Sequence, residues 1–210
     1  MKRTTTVLLA LTAFIMTAFV SCDDDKEKVE TMYSGFMTGH TDSEGYVTIL
    51  TDDFGTQYMV SEKSDQLEPD TLYRLVAAVA LDENRTARIL QMVPTISYIA
   101  PADSIIPDSL RVQDPLDVIS LYIGGGYLNI YLGVKVATEG TLHRLFYTRL
   151  GTPGKVAFTI YHNAYDDKPV YTKHAYMSIP LHGYGLAKND TVFLTCKGYQ
   201  EDYDYKLVIK

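Results

Sequence analysis

Few residues in this sequence combine types and spacings that could do chemistry. Four histidines fall in its second half: His143, His162, His174 and His182. If "FTIYHNAY" and "VYTKHAYM" pair as a hairpin centred near Lys168, His162 lies opposite His174, and a cross-strand pair could supply two metal ligands. No third ligand is evident, so the plainer reading is two partly exposed sheet residues, and no metal is assigned. Cys196 alternates with Val192 and Leu194 in "TVFLTC", which fits a small buried hydrophobe better than a nucleophile. Tyr127 and Tyr131 flank Asn129 on the face opposite the row Leu128, Ile130, Leu132, Val134 and Val136. An exposed Tyr-Asn-Tyr stripe would suit a sugar or protein ligand; the alternative is that these residues cover a contact between domains.

Asp53-Phe54-Gly55 matches the kinase metal-binding tripeptide, but the Gly-rich loop, catalytic loop and lysine-bearing strand are missing. It reads as a hairpin turn. Gly124-Gly125-Gly126 does not open a helix after a strand, so it lacks the geometry for cradling phosphate and instead permits a tight connection. G-x-S-x-G, H-E-x-x-H and C-x-x-C are absent. No catalytic residue or cofactor is assigned, and the chain is expected not to be an enzyme.

The remaining chemistry is covalent and lies near the N-terminus. Lys2 and Arg3 precede an apolar segment from Val7 to Val20, the pattern of a secretory signal and too short for a comfortable membrane span. Ser21-Cys22 at its end resembles a bacterial lipobox, with Phe19 where an aliphatic residue is usual. Acylation of Cys22 would anchor the chain, since each buried CH₂ contributes ~0.8 kcal/mol. Asp23, Asp24 and Asp25 follow at once. They read either as a solvated spacer or, by resemblance to the acidic export signal of Bacteroidetes lipoproteins, as an address to the outer face of the outer membrane.

Cleavage before Cys22 leaves 17 basic against 26 acidic side chains, a formal charge of −9. With Cys22 acylated only Cys196 remains, so no disulfide framework exists and stability must come from burial and sheet hydrogen bonding. The elements that position the candidates have period two throughout. Residues 33–93 give five strands, with hairpins at Thr51–Gly55 and Asp82–Arg85 and a first strand interrupted by Gly35, which suggests a small OB-like barrel. Residues 94–115 carry Pro94, Pro101, Pro107 and Pro115 and read as a semi-rigid linker packed over the surface. Residues 116–210 give about seven strands, the count of an antiparallel immunoglobulin-like β-sandwich. The fold class is therefore all-β: signal peptide 1–21, acidic tether 22–32, barrel 33–93, linker 94–115 and sandwich 116–210.

Charge then tests the barrel's commonest role. Residues 33–93 hold ten acidic and four basic side chains, and a groove that neutralises phosphates cannot be built from them, so nucleic acid is not a partner. Residues 116–210 hold ten basic and eight acidic. Within the linker, "DSI" and "DSL" resemble the acceptor tripeptide of Bacteroidetes O-glycosylation, which would place glycans on Ser104 or Ser109.

The order "CDDD", "VTILTDDFGTQYMV" and "DPLDVISLYIGGGYLNIYLGV" resembles the NigD-like lipoproteins of Bacteroidetes across the whole mature chain. The resemblance implies an N-terminal OB domain, a C-terminal β-sandwich and an association with bacteriocin gene clusters; it carries no catalytic residues. The expected function is a lipid-anchored cell-surface binding module, joined to the membrane through Cys22 and meeting a protein or glycan partner outside the cell. A glycan-binding accessory lipoprotein of a polysaccharide-uptake system and a fimbrial-type structural subunit are the alternatives.

Overall fold

The computed structural model describes residues 30–137, 140–152 and 155–210. The signal segment, Cys22, Asp23, Asp24 and Asp25 lie outside the described residues. Five strands, β1 (Thr31–Thr41), β2 (Val47–Asp52), β3 (Gln57–Val60), β4 (Leu72–Leu81) and β5 (Thr86–Pro94), close in the order β1-β2-β3-β5-β4. β3 and β5 run parallel and the other pairs antiparallel. Alternate residues fill the interior, among them Met37, Val47, Leu50, Leu75, Ala77, Val79 and Ala87.

Three turns of the barrel region use one device. Asp42, Asp52 and Asp82 each accept hydrogen bonds through Oδ1 from the backbone N–H groups two and four residues on, at 2.8–3.0 Å. The residue three positions on closes the turn in left-handed conformation: Gly45 at φ 88°, Gly55 at 86° and Arg85 at 57°. This is a short-loop hairpin whose aspartate holds the chain until it reverses. β1 itself differs from expectation, because Gly35 lies in unbroken pairing with β4 and the irregularity falls at His40/Thr41. Gly35 instead lets the Tyr33 side chain lie over it, since a Cβ there would come within 2.7 Å of the Tyr33 hydroxyl and push that ring aside.

Seven strands follow: β6 (Asp117–Gly124), β7 (Tyr127–Val136), β8 (Arg144–Thr152), β9 (Lys155–Asn163), β10 (Tyr171–Pro180), β11 (Thr191–Cys196) and β12 (Tyr203–Val208). They form two facing sheets, β10-β7-β6 and β12-β11-β9-β8. The pairs are antiparallel except β9 with β11. The row Leu128, Ile130, Leu132, Val134 and Val136 points into the core between them, with Phe158, Ile160, Val192 and Leu194 facing it from the other sheet. Each such side chain contributes roughly 1.5–3 kcal/mol on burial. Cys196 is buried among them, and burial pushes its thiol up to about 12, which keeps it protonated and unreactive.

The expected pairing of His162 with His174 is overturned. β9 pairs with β8 and β11, whereas β10 pairs with β7 in the opposite sheet. The connection between β9 and β10 is a crossover between sheets, with Tyr165 and Asp166 both at positive φ.

The proline-rich stretch is built into the sandwich. Ile96 bridges to Met177, Ala102 to Arg149, Gln113 to His162 and Leu116 to Gly198, each in parallel fashion. Tyr98 and Tyr147 stack at 4.2 Å and interlock. The Tyr147 hydroxyl donates to the Tyr98 carbonyl and accepts from its N–H, while the Tyr98 hydroxyl accepts from the Tyr147 N–H at 2.8 Å and donates to its carbonyl at 3.2 Å. Tyr147→Phe removes two of these bonds and strands the Tyr98 backbone, so denaturant unfolding should show a loss of about 1–3 kcal/mol. A loss below experimental error would mean that the stretch is not fixed by this contact. Asp103 and Asp108 open one-turn 3₁₀ helices. Asp103 is buried and accepts from Thr148 at 2.8 Å and Tyr161 at 2.9 Å, while Ser104 and Ser109 beside these turns are exposed.

Candidate functional site

The polar side chains gather where the barrel meets the sandwich. Arg74 on β4 and Asp53 in the β2–β3 turn form an ion pair with both side chains almost wholly buried. Arg74 also donates to Asn129 Oδ1 at 3.0 Å and Thr38 Oγ1 at 3.2 Å, and its guanidinium lies 4.5 Å from the centre of the Tyr127 ring. Asn129, from β7, donates through Nδ2 to Asp53 Oδ2 at 3.0 Å and to the Gly124 carbonyl at 3.2 Å, and accepts from Ser178 at 2.8 Å. Tyr122 completes the set, donating to Asp53 Oδ2 at 2.8 Å. Burial and this carboxylate hold the Tyr122 hydroxyl far above the usual phenol range, so it is a permanent donor here.

The three glycines make this approach possible. A Cβ on Gly124 or Gly125 would lie 2.7 or 2.5 Å from the Asp53 carboxylate. Gly125 and Gly126, at φ 60° and 83°, form the two-residue reversal between β6 and β7, and Gly125 N–H donates to the Asp53 carbonyl at 3.2 Å. Asp52 holds its own turn, which leaves its neighbour Asp53 to plug the sandwich.

Of the two readings of the Tyr-Asn-Tyr stripe, an open binding face or cover for an inter-domain contact, Tyr127 and Asn129 follow the second. Asn129 has no exposure at all, and Tyr127 lies against Arg74. Tyr131 remains partly exposed, with one ring face stacked on Tyr176 at 5.0 Å and its hydroxyl 2.6 Å from His174 Nδ1. The barrel covers the sheet face that period two predicts to be polar and wet.

A second cluster, at the β8–β9 end of the sandwich, escaped the sequence reading. His143 Nδ1 lies 2.9 Å from His162 Nε2, and His143 Nε2 lies 3.1 Å from Asp167 Oδ2. His162 Nδ1 faces the Asp114 and Pro115 carbonyls, each at 3.1 Å. Hydrogen-bond accounting fixes the protons. His162 faces two carbonyls and so carries its proton on Nδ1, which leaves Nε2 to accept from His143 Nδ1–H; the His143 Nε2 contact with the Asp167 carboxylate is then a donated hydrogen bond when the His143 ring is doubly protonated. Burial pulls His162 below the usual histidine range, opposed by the Asp114 carbonyl and reinforced by His143. Asp167 is held below the usual carboxylate range: burial opposes this, but hydrogen bonds from Ala137 N–H, His143 and Lys168 N–H outweigh it. No group of three or more His, Cys, Asp or Glu side chains among the described residues has the arrangement of a metal site. Most donors and acceptors of the two clusters satisfy each other, with Arg74 Nε buried and without a hydrogen-bond partner.

What the junction leaves outside is apolar. Phe54, at the tip of the turn whose Asp53 is buried, is 88% exposed.

Comparison with known proteins was informative for the sandwich and the overall fold. The family profile of the NigD-like C-terminal beta sandwich domain matches residues 99–209. The crystal structure of a NigD-like immunity protein from Bacteroides caccae ATCC 43185 superposes with a TM-score of 0.69 at 25% identity, over 85% of this chain and 97% of that one. A protein described as toxin-related, from Parabacteroides distasonis ATCC 8503, gives 0.67 at 19% identity over 86% and 94%. A protein described as a lipoprotein, from Bacteroides fragilis NCTC 9343, gives 0.58 at 13% over 86% and 97%. The last two bear on the fold alone. No curated protein matches the chain.

Proposed function

Since the chain belongs to the NigD-like family through its C-terminal β-sandwich, we propose that it is a non-enzymatic binding module, lipid-anchored through Cys22 and displayed on the outer surface, with an immunity-type role against a secreted protein. One observation carries this reading. The buried polar side chains at the junction and at the β8–β9 end are tied into two hydrogen-bonded networks, while the turn at the domain junction presents Phe54 bare to solvent. An exposed aromatic on a rigidly held turn is the anchor type from which protein interfaces draw most of their energy. The immunity description of the B. caccae structure favours this partner class. No helix among the described residues is long and apolar enough to cross a membrane.

Two measurements test it. Protease added to intact cells should digest the native protein and spare a variant in which Asp23, Asp24 and Asp25 are alanine and Cys22 is kept. Protection of both would place the protein in the periplasm and remove the extracellular partner. Loss of the gene should sensitise the host to killing by secreted products of neighbouring strains. Restoration by the native gene but not by Phe54→Asp, at equal surface level, identifies the junction turn as the contact. Equal restoration by both excludes it.

A further inference from the structure

The sandwich has two seams where its sheets end side by side. One lies between β10 and β8, and the chain closes it: residues 96–102 cross from the bridge of Ile96 with Met177 to that of Ala102 with Arg149. The other lies between β6 and β12, the outer strands on the opposite side. Here a cleft of about 670 Å³ opens, walled by Leu121, Ile123, Leu186, Leu207 and Ile209. All five lean on the sandwich core yet stay only partly buried.

The extent of the cleft says what could enter it. Its lining takes in residues 121–126 and 207–210 but not Val118, Tyr203 or Tyr205 farther along the same strands. A strand added from a partner needs a groove running the length of an edge; this one is confined to one end of the seam. Volume and lining instead match a small-molecule pocket, which is mostly apolar with few polar groups. Those polar side chains are Tyr122, His182 and Lys210, and no carboxylate side chain is among them. The Tyr122 hydroxyl is committed to Asp53, which leaves an imidazole and an ammonium, both on exposed residues at the rim.

We propose that the cleft binds a single-chain amphiphile with an anionic head, of the fatty-acid class, its chain among the five aliphatic side chains and its carboxylate toward Lys210 and His182. The site is separate from the Phe54 turn and does not depend on the partner proposed above.

Calorimetric titration of the mature chain carrying Cys22→Ala, which needs no detergent, with dodecanoate below its micellar concentration tests this. One saturable site is expected, lost in both Leu186→Trp and Ile209→Trp, which fill the cleft from partly buried wall positions. Lys210→Gln should weaken it about two- to fivefold, the range of an exposed ion pair. Methyl resonances of Ile123 and Leu207 should shift on titration of the unsubstituted cleft, a readout that needs no folded variant. Absence of heat and of methyl shifts overturns the site, as does binding unchanged in both tryptophan variants. Equal affinity for dodecyltrimethylammonium overturns the anionic head. Binding to phosphatidylglycerol vesicles that both variants lose overturns the free fatty acid in favour of a membrane lipid.

Discussion

Arg74→Met should cost about 3–5 kcal/mol in denaturant unfolding, the penalty for leaving one member of a buried ion pair without its partner. The Asp53 carboxylate would keep only its bonds from Tyr122 and Asn129, and Asn129 Oδ1 would lose one of its two donors. Both members of the pair belong to the barrel and each also bonds Asn129 of the sandwich, so the loss should also loosen the junction, and limited proteolysis should reach the backbone near Thr95, whose N–H donates to the Arg74 carbonyl at 2.8 Å. Asp53→Leu combined with Arg74→Met should recover part of the loss. The two changes touch one network, so their effects will not add, and a double-mutant cycle measures the coupling. A cost below 1 kcal/mol would mean that water reaches the pair and that the two domains are not rigidly joined.

Acidification should weaken the fold through His162. Its pKa is lower folded than unfolded, so between those two values the unfolded chain binds more protons. The contribution is fully present above about pH 6.5, the unfolded histidine value, and is lost as pH falls toward the folded value. Protonation of Nε2 also sets two N–H donors head to head, since His143 Nδ1 already points its proton there. Asp167, lowered in the folded state, adds a second decline below about pH 3.8. His162→Gln should flatten the first decline in melting temperature between pH 7.5 and 5 and leave the second. His143→Leu should cost about 1–3 kcal/mol at neutral pH, because it strands the His162 lone pair and one Asp167 contact. A melting temperature that is flat through pH 6 in the native chain would rule out the assigned tautomers.

The alternation Leu128, Ile130, Leu132, Val134, Val136 is enough to place a core, and all five are buried as period two requires. The barrel is legible for the same reason, together with its polar hairpin turns at Thr51–Gly55 and Asp82–Arg85. Asn129 shows where such reading stops. Alternation assigns it to the outer face, and nothing local says that a second domain covers that face. The clue was Asp53: its neighbour Asp52 suffices for the turn, so a second acid there needed another purpose. His162 misled for a related reason. A short crossover and a short hairpin look alike in sequence, and only the sheet order separates them. His143 could not have been found, because its partner is set by β8 and β9 lying side by side.

β1 begins at Thr31, inside the 22–32 segment read from the sequence as a tether, and pairs with β4 residue for residue from Thr31 to His40. Antiparallel hydrogen bonds run across the strands, so tension drawn along the tether loads that whole row together instead of peeling it one bond at a time. Arg74 and Asp53 link the barrel to Asn129 of β7. Under the anchoring and surface display proposed above, a pull from the partner should break these contacts before it unfolds either domain, the barrel staying folded at the anchor while the sandwich swings away.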